Sequence, residues 1–401
     1  MRIAHLVSSG QLGGTEASVL EMVTSVLGAQ PSWQLPVTTP EHGAFERRLQ
    51  QQGLAVEVLA FPRRFAAVGE AGRAHGAGGV VAGLLMALPG ILAYRGRLRR
   101  SLSAGPHPPD IVHAHGFKMQ VLAAMAARSR TPLVWHLHDY VAARPVSARL
   151  LRRFAPRASV MIANSTSVAD DMRRVCGPAC RIETIYNGVD LTTFSPDGPQ
   201  LDLDARAGLP PAAPGTLRIG LVGTFGVWKG QKTFLSALAR MTASRPVRGY
   251  LIGGAQYQTG GSQLSEADLR GEATRLGIAD RVGFTGPVTE PAAAMRALDI
   301  VVHASTQPEP FGMVIAEAMG CARPVVISGA GGASELVTDG IDGLSHTPGN
   351  VEELAARLDR LAEDDALRAR LGAAARATAE RRFDCHRLAE QLVPLYRDLI
   401  R

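Results

Sequence analysis

Short apolar runs alternate with longer amphipathic segments along most of the chain, and this alternation predicts repeated strand–helix units. The predicted strands are 2–8, 34–39, 55–60, 110–115, 131–138, 159–163, 181–185, 217–223, 247–253, 281–286, 299–303 and 324–328. Helical patterns occupy 15–27, 44–52, 231–243, 292–298, 313–319 and the chain from 351 onward. Strands that are joined through helices run parallel and are covered on both faces, so the pattern predicts an α/β protein with doubly wound parallel sheets.

The chain is too long for one ordinary hydrophobic core. Its 401 residues predict two or three domains, and a cluster of prolines between positions 196 and 214 marks a linker. We therefore predict a first Rossmann-like domain over 1–196, a linker over 197–215, a second Rossmann-like domain over 216–382 and a final helix within 383–401.

The segment 305–320 is the stretch most suggestive of a binding site. It follows an apolar strand and leads into strong helix formers, and Pro308 and Pro310 prevent the helix from beginning earlier. We expect the helix to begin near Phe311 and Gly312, where its first N–H groups lack intrahelical partners. A helix start at the end of a buried strand suits a diphosphate.

Two carboxylates bracket this turn. On one continuous helix, the spacing of eight residues between Glu309 and Glu317 would separate them by about 12 Å. With Glu309 in the loop and Glu317 in the helix, both can face one elongated ligand at different points. The alternative is that both are solvated glutamates near a helix start, where negative charge is favoured.

Two glycine-containing loops carry further candidates. Gly13 and Gly14 follow the first predicted strand and precede a helix, an arrangement that binds phosphates, although the full dinucleotide fingerprint is missing. Lys229 follows the first strand of the second domain, in Trp228-Lys-Gly230. Taken alone, this lysine is interpreted as solvated. If the predicted fold places it opposite the Phe311 turn, it is interpreted as a phosphate ligand.

Charge is unevenly distributed along the chain. Residues 1–196 contain 21 Lys and Arg against 12 Asp and Glu, a net charge of +9, whereas 197–401 contain 22 against 24, a net charge of −2. The basic half indicates an anionic partner. The sequence has no helix-turn-helix pattern, zinc finger or aromatic-lined basic groove, so nucleic acid is not expected to be that partner.

An arginine-flanked apolar segment suggests a membrane as the anionic partner. Val80–Ile91 is apolar and glycine-rich, and arginines surround it at positions 63, 64, 73, 95, 97, 99 and 100. About 15 apolar positions are too few to span a bilayer, but a helix over residues 80–100 can lie on an anionic lipid surface. The equal alternative is a buried helix with solvated arginines at its C-terminal end. Pro89 marks a kink in either case.

The cysteines and the N-terminus predict a reducing compartment. Cys176 and Cys180 have no second Cys/His cluster in the sequence to complete a zinc site, so they are interpreted as ordinary thiols. The apolar run after Met1 is too short for a signal peptide and is predicted to be a strand. We expect a cytoplasmic protein, or one bound peripherally to the inner face of the cytoplasmic membrane.

Several motifs, taken in order, resemble the family 4 glycosyltransferases, which are retaining enzymes of the GT-B fold. Glu309 and Glu317 match the family's Glu-x7-Glu motif, and Lys229-Gly230 its lysine–glycine donor loop. Further matches are Ile185–Pro196 to I-x-N-G-V-D-x-x-x-F-x-P, Gly331–Gly340 to G-G-x-x-E-x-V-x-D-G, and Gly13-Gly14 and His113-Ala-His115 to N-terminal pieces. The resemblance covers nearly the whole chain and is denser in the second half.

The resemblance implies both an architecture and a reaction. It implies two Rossmann-like domains with a cleft between them and a last helix, within 383–401, that packs back on the first domain. It implies transfer of a sugar from a UDP- or GDP-sugar to a glycan or lipid-linked acceptor in cell-surface polysaccharide or glycoconjugate synthesis. No Asp-x-Asp motif appears where the donor should sit, so we expect no metal and no cofactor besides the nucleotide sugar.

Roles follow for single residues by the same resemblance. His115 and Glu309 are the expected catalytic residues, and the donor is expected to contact Gly13, Gly14, Thr224, Lys229, Phe311, Gly312 and Glu317. Thr224 stands where relatives commonly carry an arginine, which leaves one phosphate contact unaccounted for. His138 and Asp139 are candidates for the acceptor side. Side-chain alternation along the strand, and not the resemblance, is the basis for expecting His113 to point to the opposite face of its strand from His115.

Other functions stay open. A nucleotide-sugar epimerase on the same scaffold and a non-catalytic protein that binds nucleotide sugars are both alternatives. The missing arginine favours the non-catalytic protein, whereas the complete set of Lys229, Glu309 and Glu317 favours a transferase. A NAD-dependent dehydrogenase is disfavoured because the first loop lacks G-x-G-x-x-G.

Overall fold

A computed structural model of the protein describes residues 1–67, 76–104, 107–255 and 263–401. The chain divides into two compact units, one formed by Met1–Gly188 with Cys385–Arg401 and the other by Val189–Asp384. The division differs from the predicted boundaries, because residues 197–215, predicted as a linker, lie inside the second unit. Each unit contains one sheet whose strands all pair in parallel, as the alternating pattern predicts.

Seven strands form the sheet of the first unit. They are β1 (Ile3–Leu6), β2 (Val37–Thr39), β3 (Val56–Val58), β4 (Ile111–His115), β5 (Leu133–Leu137), β6 (Val160–Ala163) and β7 (Ile182–Thr184). Their order in the sheet is β3-β2-β1-β4-β5-β6-β7. The order reverses between β1 and β4, so the carboxyl ends of these two strands flank the crevice where doubly wound sheets bind ligands.

The helices of the first unit include the last helix of the chain. They are α1 (Gly14–Ala29), α2 (Ala44–Gln51), α3 (Arg63–Ala67), α4 (Gly76–Ser103), α5 (Phe117–Ala126), α6 (Pro145–Phe154), α7 (Thr166–Cys176) and α15 (His386–Leu399). Leu388, Leu392 and Tyr396 are buried on one stripe of α15. The Ser25 hydroxyl of α1 donates to the His386 carbonyl and accepts from the Ala389 N–H. The predicted return of the last helix to the first domain is confirmed.

Helix α4 has one buried face and one exposed apolar face. The buried side chains follow a helical spacing: Ala87, Ile91, Tyr94, Leu98 and Leu102. Large apolar side chains between 44% and 66% exposed lie elsewhere on the helix: Val81, Leu85, Met86, Leu88 and Leu92. Pro89 lies inside the helix, and Arg73 lies outside the described residues.

The extent of α4 corrects one expectation. Gly78–Ser103 is long and apolar enough to cross a membrane by length and composition, and 11% of its most apolar 18-residue stretch is buried. The sequence-based expectation that this segment is too short to span a bilayer is therefore wrong on length, because the helix extends beyond the apolar run at both ends.

The second unit contains a six-stranded parallel sheet. Its strands are β8 (Leu217–Val222), β9 (Val247–Ile252), β10 (Val282–Gly286), β11 (Ile300–His303), β12 (Val325–Ser328) and β13 (Leu344–His346), and its helices are α8 (Leu203–Arg206), α9 (Gln231–Arg240), α10 (Glu266–Arg275), α11 (Pro291–Arg296), α12 (Met313–Gly320), α13 (Val351–Glu363) and α14 (Asp365–Arg382). The order β10-β9-β8-β11-β12-β13 reverses between β8 and β11. Strand β13 and helix α10 escaped prediction, because the strand has three residues and the helix buries only Leu269 and Ala273.

A buried carboxylate anchors residues 197–215 to the second sheet. Asp204 is 4% exposed and accepts hydrogen bonds from Arg248 Nη1 and the Tyr250 hydroxyl, both at 2.5 Å, and from the Ala212 N–H at 3.0 Å. Burial by itself would raise the pKa of Asp204, but these hydrogen bonds outweigh burial and hold the pKa well below its usual range. The prolines near this segment therefore accompany a packed segment, not a free linker.

We expect Asp204→Ala to destabilise the second unit by about 3–5 kcal/mol, because it leaves the Arg248 guanidinium without its charge partner. Hydrogen exchange of β8 and β9 measures this opening. Since the folded-state pKa is depressed, the wild-type advantage is present above about pH 4 and declines as the pH falls further. Asp280→Ala, at an exposed aspartate of the same unit, is the matched control. Equal protection in the two variants would contradict the anchoring role.

Candidate functional site

The candidate site of the second unit lies where its strand order reverses. Thr224 follows the end of β8, and Ser305 and Glu309 follow the end of β11. Because parallel strands end at the same edge of the sheet, these two loops are neighbours. The Thr306 N–H donates to the Trp228 carbonyl at 2.8 Å, which joins the loop after β11 to the loop that carries Lys229.

Glu309 is the centre of a compact charged cluster. Its Oε1 accepts a hydrogen bond from Lys229 Nζ at 2.5 Å. Its Oε2 accepts from His303 Nε2 at 2.9 Å and from the Ser305 hydroxyl at 2.5 Å. Because an ionised carboxylate only accepts, the His303 proton is assigned to Nε2.

These contacts determine the charge of Glu309. Burial by itself would raise the pKa of Glu309, but the positive charge of Lys229 and the hydrogen bonds from His303 and Lys229 hold the pKa well below its usual range. The carboxylate is therefore ionised and held in one orientation at neutral pH. Its side chain is 14% exposed, so one edge remains accessible.

A glycine allows the Lys229 loop to approach the sheet. Gly230 has a φ of +76°, and a Cβ at this position would lie 1.8 Å from the Ala304 carbonyl oxygen. Any side chain would therefore displace the loop. The lysine–glycine pairing noted in the sequence thus has a steric reason.

The turn before α12 forms where the prolines predict it. Gly312 is the N-cap of α12, with a φ of +92°. The main chain of Glu309 forms a parallel bridge with Gly331, and the Ala333 N–H donates to the Glu309 carbonyl at 3.3 Å. The segment 331–340, picked out by resemblance, therefore supports the loop that carries Glu309.

The remaining donor-side candidates occupy different environments. Phe311 is 2% exposed and packs edge-on against Phe383, with ring centroids 6.0 Å apart, so its side chain belongs to the core and only its backbone is left to contact a ligand. Glu317 is half-buried in α12. The Thr224 carbonyl accepts from the Gln231 side-chain amide at 2.8 Å, which positions the loop after β8.

In the first unit, Gly13 and Gly14 form the N-cap and first residue of α1. The Glu16 side chain lies at this helix start, where the backbone N–H groups of Glu16 and Gly13 favour its ionised form. Burial raises the pKa of Glu16 to about 7 against their effect, and the charge of Glu41 adds to the rise. The predicted anion site at α1 therefore already has a carboxyl group beside it.

His115 belongs to a group of five histidines, which we call the histidine cluster: His5, His113, His115, His136 and His138. His115 is fully buried, with Nε2 3.2 Å from His5 Nδ1 and Nδ1 3.2 Å from His138 Nε2. The prediction that His113 points away from His115 is wrong. Residues two apart on a strand share a face, and the two rings stack with centroids 4.4 Å apart.

The predicted acceptor-side pair lies just beyond the end of β5. His138 is half-buried, so it is the member of the cluster nearest to solvent. Asp139 accepts a hydrogen bond from Arg144 and another from the Tyr140 N–H at 2.8 Å. Both predicted residues are accessible at the carboxyl edge of the sheet.

Sequence reasoning missed several of these residues. His303 and Ser305 went unassigned although His303 ends the strand that leads to Glu309, and strand ends are where such ligands arise. His5 and His136 were also missed. The repeated His-x-His pattern at 113–115 and 136–138 was the available signal, since both pairs face one side of adjacent strands.

Comparisons of the chain with known proteins agree with this architecture. Residues 211–378 match the family described as Glycosyl transferases group 1, and residues 44–193 match Glycosyltransferase Family 4. The D-inositol 3-phosphate glycosyltransferase of Xylanimonas cellulosilytica is 32% identical over 310 residues, which cover 72% of this chain and 71% of that protein. The enzyme of the same name from Kribbella flavida is 29% identical over 358 residues, covering 82% and 83%.

Solved structures have the same fold. Anabaena HepE in complex with UDP has a TM-score of 0.81 and 30% identity, covering 99% of this chain and 100% of that chain. The complex of HepE with UDP-glucose gives the same TM-score and identity. Sucrose-phosphate synthase from Thermosynechococcus elongatus, at 21% identity and a TM-score of 0.74, covers 100% of this chain and 99% of that chain and shows likeness of fold alone. The chain belongs to the family 4 glycosyltransferases and has the GT-B fold.

Proposed function

We propose that this glycosyltransferase moves a hexose, with retention of anomeric configuration, from a UDP-sugar to a hydroxyl group of a glycan or lipid-linked acceptor. The observation that carries the proposal is the Lys229–Glu309–His303 cluster beside the start of α12, at the edge where the strand order reverses. The likeness of the whole chain to HepE, which was crystallised with UDP and with UDP-glucose, supports UDP over GDP as the nucleotide.

Charge on the leaving diphosphate is offset by protein groups in this proposal. The Lys229 amine lies on the loop after β8, and the first N–H groups of α12 follow the adjacent loop after β11. Both kinds of group favour phosphate oxygens. A phosphate that binds Lys229 competes with Glu309 for the amine. Donor binding would then free one oxygen of Glu309 for a sugar hydroxyl, while His303 and Ser305 keep the carboxylate oriented. No metal takes part in this step.

The transfer breaks the bond between the sugar's anomeric carbon and the phosphate oxygen and forms a bond from that carbon to the acceptor oxygen. In front-side attack, the leaving phosphate takes the acceptor's proton and UDP departs. Glu309 stays ionised beside the reacting carbon and stabilises the positive charge that develops there. Glu317 accepts hydrogen bonds from the ribose hydroxyls, and the backbones of Gly13 and Gly14 stay predicted phosphate contacts.

The imidazoles of the first unit have separate roles in this proposal. His115 is fully buried and both of its ring nitrogens contact other imidazoles, so it acts by orienting His138. His138 is half-buried and, with Asp139, is the group that we propose meets the acceptor. This assignment moves the catalytic contact originally expected of His115 to its neighbour.

The exposed surface of α4 is the basis for proposing a lipid-linked acceptor. Its exposed apolar side chains, with Arg99 and Arg100 exposed on the same helix, suit a peripheral position on an anionic membrane at the cytoplasmic face. A lipid-linked acceptor would be found there. The curated relatives are named for D-inositol 3-phosphate, so a polyol phosphate is the competing acceptor.

The reaction is tested with UDP-glucose, GDP-glucose and ADP-glucose in separate incubations with lipid-linked glycans or inositol phosphate. We expect transfer from UDP-glucose alone, and an α-linked product by NMR. A β-linked product would exclude retention. Isomerised UDP-sugar without any acceptor would establish the epimerase alternative instead, and nucleotide binding without turnover would favour the non-catalytic one.

Substitutions of the two glutamates are expected to affect different quantities, UDP affinity for Glu317 and kcat for Glu309. Glu317→Ala should weaken UDP binding about tenfold, the effect of losing one charged hydrogen-bond acceptor. Glu309→Gln should lower kcat by about 100-fold or more without weakening UDP binding, because it removes charge stabilisation near the reacting carbon and leaves Lys229 free for the phosphate. Calorimetric titration with UDP and single-turnover kinetics separate the two effects. Wild-type behaviour in both variants would remove these residues from the site.

Membrane association is tested by flotation with vesicles that contain anionic lipid. We expect the wild-type protein to float at low salt and to be released as salt is raised. Leu85→Asp combined with Met86→Asp should abolish flotation, because both side chains are more than 60% exposed on α4. Ile341→Asp, at a similarly exposed apolar residue of the second unit, is the control. Wild-type protein that stays at the bottom of the gradient would overturn the membrane proposal.

A further inference from the structure

The histidine cluster concentrates five imidazoles on one face of three strands in the first unit. His5 on β1 is the register partner of His113 on β4, and His115 is the partner of His136 on β5. His5, His113 and His115 each expose none of their surface. Such a group is unusual in a protein interior, where polar side chains normally satisfy one another or water.

Several buried ring nitrogens of the cluster have no hydrogen-bond partner among the described residues. Within the described part of the chain, His5 Nε2, His113 Nε2 and both nitrogens of His136 have no hydrogen-bond partner. A buried polar atom without a partner costs about 1–3 kcal/mol. A ligand that accepts an electron pair from His113 Nε2 would relieve part of this cost.

Nitrogen atoms of three of these rings are close enough to share one ion. In His5, His113 and His115, one nitrogen of each ring lies within 4.8 Å of the others. His5 Nδ1 and His115 Nε2 are 3.2 Å apart. Two nitrogen ligands on a tetrahedral zinc ion lie about 3.3–3.4 Å apart, given Zn–N bonds of about 2.0–2.1 Å. This pair therefore already has the separation that a shared ion requires.

We propose that His5, His113 and His115 bind one transition-metal ion of the zinc class in the core of the first unit. Neutral imidazoles are favoured ligands for Zn²⁺ and its neighbours, whereas Mg²⁺ and Ca²⁺ prefer oxygen.

The surroundings select this triad over a second one. His113 Nδ1 lies 2.8 Å from the Tyr396 hydroxyl, and His115 Nδ1 lies 3.2 Å from His138 Nε2. With His113 and His115 bound to the ion through Nε2, both Nδ1–H groups have an acceptor, which is the arrangement that orients histidine ligands.

His115, His136 and His138 form the competing triad. In the first triad one ring, His5, lacks such support at Nε2. In the second triad two rings lack it, because both His136 nitrogens and His138 Nδ1 have no hydrogen-bond partner among the described residues. The proposed ion therefore belongs to the His5 side of the cluster.

This site is distinct from the proposed donor site and implies no metal in the transfer step. It lies among β1, β4 and the Tyr396 side chain of α15, all within the first unit. Its expected effect is to stabilise that unit and to fix the tautomer of His115, which in turn orients His138.

The test uses the full-length protein, purified from zinc-supplemented culture and passed over a chelating column. We expect about one equivalent of zinc by elemental analysis. Replacement by Co²⁺ should give the visible absorption of a cobalt ion bound by imidazole nitrogens. His5→Gln and His113→Gln should each lower zinc affinity at least 100-fold in competition with a chromophoric chelator. Tyr396→Phe, which keeps the packing, should weaken binding about 10–100-fold.

Matched variants distinguish the alternatives. His136→Gln should leave affinity within a few-fold, and so should His42→Gln, at a histidine whose side chain is 81% exposed. Circular dichroism and calorimetry establish that each variant is folded. Less than a tenth of an equivalent of zinc in the wild-type protein would overturn the proposal. So would zinc binding that is lost in His136→Gln or His42→Gln but kept in His5→Gln and Tyr396→Phe.

Discussion

A negative charge held away from water is the constraint around which the second unit is arranged. Glu309 is largely buried, and an isolated carboxylate there would be too costly to stay ionised. Lys229 comes from the loop after β8, His303 from the end of strand β11, and Ser305 from the loop that also carries Glu309. Each loop in turn needs a residue that fits: Gly230 to clear the Ala304 carbonyl, and Gly312 to take the left-handed conformation before α12. The loops after β8 and β11 can meet because both strands end at the same edge of the sheet.

The same topology produces a different chemistry in the first unit. There too the strand order reverses at one point, between β1 and β4, and polar side chains gather beside it. In the second unit the polar group is the ion pair of Lys229 and Glu309. In the first it is a set of neutral rings, fully buried except at His138. One architecture therefore places a charged cluster and the histidine cluster at equivalent positions of two sheets.

How far the sequence could predict this structure depended on how local each signal was. The twelve predicted strands and the start of α12 rest on neighbouring residues, and each forms at or near the place that the pattern gives it. His303 and His5 were missed because their significance comes from partners 6 and 110 residues away. The linker was misjudged for the same reason, since its prolines are local but the Asp204 contacts that anchor it are remote. Strand β13 has three residues, which are too few to show an alternating hydrophobic pattern.

The composition of the first unit has a consequence for the order in which the protein can be made. In the chain, α15 follows the whole of the second unit. Domains commonly fold in turn as they leave the ribosome. Here the surface of the earlier sheet that receives Leu392 and Tyr396 stays uncovered until the second unit has been synthesised. Loss of α15 would therefore uncover part of the unit that is translated first.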